Sequence, residues 1–201
     1  SPKSKSNPNA KIEIRDTDHL FYKLNVFQDD LEKHSRSRQK IWKPNVRAMT
    51  KNWLNMGLRP RAVTRDLEWG IDVPIDDTEW TNKRIYVWFE AVQGYYTCAR
   101  IWAEKFASEH PDKENAWENW WINKPNQSLR HIYFMGKDNI PFHTIIWPAI
   151  LMGMNRSRNT DMQLHIEDNV AANEYLMLKG GQFSKSRKHG VWLPVFLERY
   201  D

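Results

Sequence analysis

Three short segments carry residue types that could do chemistry together. Gly136-Lys137-Asp138-Asn139 places a cation and an anion side by side, after a glycine whose bare backbone lets a ligand approach. The segment opens a helix, and a helix N-terminus favours anions. His143 follows on the first turn. Further on, Phe183-Ser184-Lys185-Ser186-Arg187, with Lys188 and His189 behind it, sets two hydroxyls around a lysine. In a loop this makes a flexible cationic clamp for phosphate oxygens. The third segment is Trp88, Ala91 and Tyr95, which fall on one side of a strand-to-helix passage and could wall an apolar pocket with one hydroxyl at its edge. Each has a plainer reading as well: an exposed ion pair, a solvated loop, a core aromatic stripe. Spacing alone leaves both readings open.

Other chemistries lack their signatures. There is no Gly-x-x-x-x-Gly-Lys-Ser/Thr loop, no Gly-x-Ser-x-Gly elbow, no His-Glu-x-x-His and no EF-hand loop. The single cysteine, Cys98, sits inside a helical pattern and is expected to be buried and inert. One cysteine excludes an intrachain disulfide framework and a cysteine-cluster zinc site. The scattered histidines suggest no metal ligand.

The elements that must position these residues can be read from periodicity. Strands are expected over 11–14 and 20–24, and a charged helix over 27–40. Pro44 opens a second helix to Met56, with Val46, Met49, Trp53 and Met56 at spacings of three and four, and Gly57 stops it. Residues 61–67 read as strand and loop, with a turn at Trp69-Gly70 and an acidic loop over 72–81. The run Arg84 to Phe89 has the continuous apolar character of a strand buried on both faces. A helix over 91–108 ends before Pro111. Strands over 130–135 and 162–166 flank an apolar helix over 140–152. Lys179-Gly180-Gly181 between two short strands signals a hairpin. Strand, helix, strand, helix, strand implies an α/β fold with a parallel sheet, whose ligands bind outside the carboxyl ends of the strands. That rule points to Glu90, to Lys137-Asp138-Asn139 and to Glu167-Asp168-Asn169.

Length and composition set the frame. The chain has 201 residues, enough for one large domain or two small ones. With 40% hydrophobic and 27% charged residues, it has a globular profile. Mean hydropathy is −0.78, and no apolar run reaches membrane-spanning length. The polar start, residues 1–10, reads as a loop and has no signal-peptide core. A cytoplasmic setting is expected. Thirty Lys and Arg against 25 Asp and Glu give a net charge of +5, which permits a polyanionic partner without requiring one. Eleven tryptophans are many for this length; stacking against bases or adenine is one use for them.

Taken in order, the motifs cease to be independent. The segments Arg61-Ala-Val-Thr-Arg65-Asp66-Leu-Glu-Trp-Gly70, Tyr86-Val-Trp-Phe-Glu90-Ala91, Gly94-Tyr95, Phe134-Met-Gly-Lys-Asp-Asn-Ile-Pro-Phe-His143, Asn173-Glu174-Tyr175 and Gly181-Gln-Phe-Ser-Lys-Ser-Arg187 together resemble the methionyl-tRNA synthetases, a family of class I aminoacyl-tRNA synthetases. The resemblance covers nearly the whole chain and is strongest after Trp53. It implies a Rossmann-like catalytic domain that activates methionine with ATP and Mg2+ to methionyl-adenylate and transfers it to tRNA.

Residue roles follow from the same resemblance. The loop 183–187 matches the signature Lys-Met-Ser-Lys-Ser, with Gln182 in place of its first lysine and Phe183 in place of its methionine. Lys185 matches the lysine that stabilises the pyrophosphate leaving group, flanked by Ser184 and Ser186. Trp88, Ala91, Tyr95 and His143 match positions lining the methionine pocket, and Val92 replaces a frequent proline. Lys137 and Asp138 match the loop beside the ligands, Asn173, Glu174 and Tyr175 lie near the adenosine, and Arg65 matches an active-site arginine. Methionine is long and polarizable, and aromatic walls suit its sulfur. Adenylate formation is an in-line displacement that needs positioning and charge neutralisation more than a base.

The departures are as informative. The family's His-x-Gly-His signature, the zinc-knuckle cysteines and the helical anticodon-binding domain are absent; Ser4 and Ser6 stand where some members place cysteines. The resemblance therefore implies residues 1–60 as the end of the connective insertion and 61–201 as the second catalytic half, inactive without the first half as partner. No zinc, membrane or DNA partner is implied. The rival readings are a non-catalytic tRNA- or partner-binding module derived from a synthetase, and a class I synthetase for leucine or valine. The pocket pattern at Trp88, Tyr95 and His143 speaks against the latter.

Overall fold

The computed structural model describes residue 7 and residues 9–200. The positions of Ser4 and Ser6 lie outside the described residues. In chain order the elements are β1 (Phe21–Tyr22), α1 (Gln28–Ser37), α2 (Pro44–Asn55), β2 (Arg61–Ala62), β3 (Thr64–Asp66), β4 (Lys83–Ile85), α3 (Val87–Ala91), α4 (Gly94–Glu109), α5 (Glu118–Trp121), β5 (Ile132–Gly136), α6 (Trp147–Asn155), β6 (Asn169–Asn173), β7 (Met177–Leu178), β8 (Gly181–Gln182) and α7 (Leu193–Leu197).

The two N-terminal helices form where periodicity places them. α1 carries Asp29 and Asp30 on its first turn and His34 and Arg36 on its last, each sign at the end its macrodipole favours. α2 starts at Pro44, where a missing N–H costs nothing, and Gly57 beyond it adopts φ +73°. Residues 11–20, part of which was expected to be a strand, form none. With Asp16 and Asp18 among mostly exposed residues, this stretch has no apolar face to pair.

One βαβ unit carries the site. β5 and β6 pair in parallel, Ile132 against Asn169 through Gly136 against Asn173, with α6 on the connection between them. Two expectations about the sheet are corrected. The run 84–89 is not a doubly buried strand: β4 is short and antiparallel to β3, and the chain turns into α3 with Val87 and Trp88 about half exposed. The strand that pairs in parallel with β5 is β6, not 162–166. Within 162–166 only Leu164 is bridged, to Ile122, and it is buried there. An isolated buried leucine beside partly buried neighbours imitates a strand pattern, whereas the alanines of Asn169–Asn173 signal one weakly.

Shifting that strand reverses the meaning of Glu167-Asp168-Asn169. Glu167 and Asp168 precede β6 and Asn169 opens it, at the end opposite the carboxyl tips of the strands. Glu167 is fully buried, with Oε1 2.8 Å from His34 Nε2 of α1. Asp168 accepts from the His131 amide at 2.8 Å and lies 2.7 Å from His165. They are a structural clamp. Cys98, expected buried, is exposed on α4: its turn of the helix faces away from the packed side at Ala99 and Ala103.

Among the described residues, three apolar clusters hold the elements. Trp117, Trp121, Tyr133, Trp147, Leu151 and Leu164 form the largest. Leu24, Phe27, Leu31 and Leu54 pack on Ile145 and Ala149. Trp42 and Val46 pack on Ile140, Val170 and Ala172. Residues before 60 and the βαβ unit thus share buried surface.

Candidate active site

The end of β5 feeds Lys137–Asn139, and the helix that follows contains a π-helical turn over Phe142–Ile146 before α6. Such a turn widens the spiral locally and is common at functional sites. Here it brings His143 inward, buried at 7% exposure. A hollow of about 160 Å³ lies between this turn and the α3–α4 junction, lined by Trp88, Ala91, Val92, Tyr95, Asn139, Phe142 and His143. Its walls are aromatic: the Trp88 and Phe142 rings are 5.6 Å apart, and Tyr95 meets Tyr133 edge-on at 4.8 Å.

The polar edge of the hollow has a defined proton arrangement. His143 Nδ1 lies 2.9 Å from the Asn139 carbonyl oxygen, which can only accept, so Nδ1 carries a hydrogen. Burial pushes His143 below its usual range against the opposing pull of that carbonyl, and Nε2 is left bare at neutral pH. Nε2 therefore accepts from the Tyr95 hydroxyl, 2.9 Å away. Burial also raises the Tyr95 phenol, which keeps its proton. The result is an oriented hydroxyl whose lone pairs are free for a ligand.

Beside the hollow, the tips of β5 and β6 interlock. Lys137 Nζ donates to Glu174 Oε2 at 2.7 Å and lies 4.5 Å above the Tyr175 ring. Tyr175 donates its hydroxyl to Asp138. Asn45, from α2, donates to Glu174 Oε1 at 3.1 Å. Glu174 holds the Lys137 ammonium above its ordinary range, and Lys137, then Asn45, hold the Glu174 carboxyl below its own. Bonding to Asp138 raises the Tyr175 phenol. These groups are exposed, so their ionic links are positional more than stabilising.

The remaining expected residues stand apart. Lys185 is exposed in the loop after β8. That loop is closed by Ser184 and His189, which exchange backbone bonds at 2.8 and 3.0 Å, and is tied to the hairpin by His189 Nε2, 2.8 Å from the Leu178 carbonyl. Ser184 and Ser186 meet hydroxyl to hydroxyl at 3.2 Å. Among the described residues, no hydrogen bond or ion pair joins this loop to the hollow. Arg65 lies over the Tyr86 ring at 4.0 Å and donates to the Ala62 and Thr64 carbonyls. It lines a different hollow, of about 360 Å³, which meets the first only at Phe142.

Sequence reasoning missed Phe142, which lines both hollows, and Asn45, which orients Glu174. An apolar residue next to His143 was the only signal for Phe142. Nothing local marks Asn45, since its partner is 129 residues away.

Comparison with known proteins gives concordant results. The family described as tRNA synthetases class I (M) matches residues 1–201. The methionine–tRNA ligase of Roseiflexus sp. (strain RS-1) is 46% identical over 194 residues, 95% of this chain and 31% of that protein. That of Chlorobium phaeobacteroides is 42% identical over 205 residues, all of this chain and 28% of that one. That of Thermoplasma volcanium is 44% identical over 185 residues, 92% and 31%. The chain thus spans about 30% of the length of these relatives. Among solved structures, Mycobacterium tuberculosis methionyl-tRNA synthetase bound by methionyl-adenylate aligns with a TM-score of 0.63 at 26% identity, over 88% of this chain and 30% of that one. A second structure of that protein in complex with methionyl-adenylate gives 0.64 at 25%, over 89% and 30%.

Proposed function

The chain belongs to the class I tRNA synthetases of this methionine family, and we propose that it is the second half of the catalytic domain, residues 61–201, preceded by the end of the connective insertion, residues 1–60. Joined to the first half, it activates methionine with ATP to methionyl-adenylate and passes the product to tRNA in the cytoplasm. The observation that carries this reading is the hollow of Trp88, Ala91, Tyr95 and His143 beside the strand tips that hold Lys137, Asp138, Asn173, Glu174 and Tyr175. At about 160 Å³ it has the volume of roughly five waters, room for a slender side chain and not for an adenylate. Aromatic edges contact a thioether favourably. The nucleotide then lies over the tips, and Lys185, flanked by Ser184 and Ser186, folds in to neutralise the leaving pyrophosphate. Arg65 is assigned to the same reaction from the family resemblance alone. Magnesium enters with the phosphates as part of the substrate; among the described residues no group of three His, Cys, Asp or Glu side chains could hold a metal ion.

The need for a first half has its own support. On one face of β5, Phe134 is 77% exposed and Ile132 41%. Parallel strands are normally covered on both faces. The test is methionine-dependent pyrophosphate exchange: this chain alone is silent, the chain mixed with the first half is active, and Lys185→Ala lowers the mixed activity at least 100-fold. Exchange by the chain alone would overturn the reading.

A further inference from the structure

The positive charge of this chain is not spread evenly. From Lys33 to Arg65 there are ten Lys and Arg and no Asp or Glu. The remaining residues, with 20 cations against 25 carboxylates, are net negative. A stretch of 33 residues therefore more than accounts for the basic character of the whole molecule.

The structure places most of this charge on one helical hairpin and leaves it unanswered. Arg36 pairs with Glu32 at 3.4 Å and Arg38 with Asp168 at 3.5 Å. Arg61 lies over Trp53 and Arg65 over Tyr86. Among the described residues, Lys33, Lys40, Lys43, Arg47 and Lys51 have no carboxylate within ion-pair distance, and all five are exposed. The Arg47 side chain donates to the Gln39 carbonyl, at 3.0 Å.

Their arrangement is regular. Arg47 and Lys51 stand four residues apart on one face of α2, about 6 Å from each other, and Lys43, four residues before Arg47, is the residue from which the helix starts. Arg36 of α1 and Arg47 and Lys51 of α2 line a groove of about 570 Å³ between the two helices. Glu32, Gln39 and Ala48 line it too, with Leu54 at 7% exposure as its apolar floor. The other exposed residues within α2 are Pro44, Ala48, Asn52 and Asn55, which offer no bulky anchor for a lipid or an amphipathic peptide. A row of evenly spaced cations along a polar groove matches a polymer whose charge repeats evenly, the phosphate backbone of a nucleic acid.

We propose that the α1–α2 groove is an RNA phosphate-backbone site, with Arg47 and Lys51 as its principal contacts, Arg36 across from them, and Lys43, outside the groove lining, extending the row of charge. The inference deepens the proposed function, on which it rests for the choice of tRNA as the RNA. It assigns no base readout, because the groove presents point charges and not paired hydrogen-bonding groups.

The test is binding of labelled tRNA to the full chain by fluorescence anisotropy across a salt series. The variants are Lys43→Gln/Arg47→Gln/Lys51→Gln and a charge-matched control, Lys11→Gln/Lys105→Gln/Lys113→Gln. Each lost phosphate contact removes roughly 0.7–0.9 from the slope of log affinity against log salt. The α2 triple variant should lower that slope by about two and weaken binding at least tenfold, and the control should change either much less. Equal losses in both variants would mean diffuse attraction and would overturn the proposal. So would an unchanged α2 variant, or polyglutamate competing as well as tRNA at equal charge concentration. Pyrophosphate exchange with the first half does not use this groove and should survive the α2 substitutions. Its failure in the unsubstituted protein would overturn the catalytic reading and leave the RNA result standing.

Discussion

At the scale of single residues, the candidate pocket turns on one hydrogen bond. Tyr95 donates to His143 only while Nε2 is unprotonated. Tyr95→Phe leaves that buried acceptor without its donor, at a cost of about 1–2 kcal/mol. We expect roughly tenfold weaker binding of a methionyl-adenylate analogue by the complemented protein, measured by calorimetry; unchanged affinity would remove Tyr95 from the pocket. A pH dependence follows from the same bond. Burial lowers the folded-state pKa of His143 below the ordinary 6.5. Its contribution to stability is therefore complete above 6.5 and is lost as pH falls through the depressed value, where the unfolded chain binds the proton more readily. Protonation also turns Nε2 from acceptor to donor. Analogue affinity should hold from pH 8 to 7 and fall as the medium turns acid, and Tyr95→Phe should flatten that fall.

At the scale of elements, two joints can be tested. The first ties α1 to the chain before β6. Glu167 is fully buried, with one carboxyl oxygen on His34 and the other without a hydrogen-bond partner among the described residues. Arg38 donates to its carbonyl, and Asp168, His165 and His131 stand next to it. Burial raises the Glu167 carboxyl above the ordinary 4.5, and His34, with Arg38 further off, pulls it back. A raised folded pKa means stability that is full below about 4.5 and falls as pH climbs through the folded value. Removing His34 takes away its main opposing pull. His34→Ala should cost about 3 kcal/mol, more at pH 8 than at pH 5, by urea denaturation; an equal loss at both pH values would show that Glu167 does not titrate in this range. The second joint is the hairpin under Lys185. Lys179 and Gly180 adopt φ +48° and +77°, the left-handed pair a tight hairpin turn requires. A Cβ on Gly181 would come within 2.8 Å of His189 Nε2, the atom that ties the loop to Leu178. Gly181→Ala should therefore free the loop, seen as faster proteolysis at Lys185 and Arg187 with little change in the global unfolding midpoint. Unaltered cleavage would show that His189 is not the tether.

At the scale of the whole molecule, what the sequence announced and what it hid separate by physical cause. The helices α1 and α2, the hairpin at Gly180 and the grouping of Trp88, Ala91, Tyr95 and His143 depend on local periodicity, turn chemistry and motif order, so they were legible. β6 was not. Its alanines carry little strand signal, and a buried Leu164 nearby imitated one. The misplacement moved Glu167 and Asp168 to the wrong end of the strand, where they looked like ligand groups when they are a clamp. The stretch 84–89 misled for another reason: its apolar residues leave Val87 and Trp88 half exposed at the rim of the hollow, so a run suited to a buried strand became a strand, a turn and a helix. The π-helical turn that brings His143 inward has no sequence signature of its own. Long-range partners such as Asn45 with Glu174 follow from the fold alone. None of these corrections moves the strand tips away from the hollow, and that proximity is what the proposed function rests on.

A crystal structure of this chain with the first catalytic half and a methionyl-adenylate analogue tests that proximity most directly. The thioether sulfur is expected between Trp88, Tyr95 and His143, about 5 Å from an aromatic ring, with the adenosine over Asn173 to Tyr175. A sulfur seated instead in the neighbouring hollow of Arg65 and Tyr86, on the far side of Phe142, would contradict it.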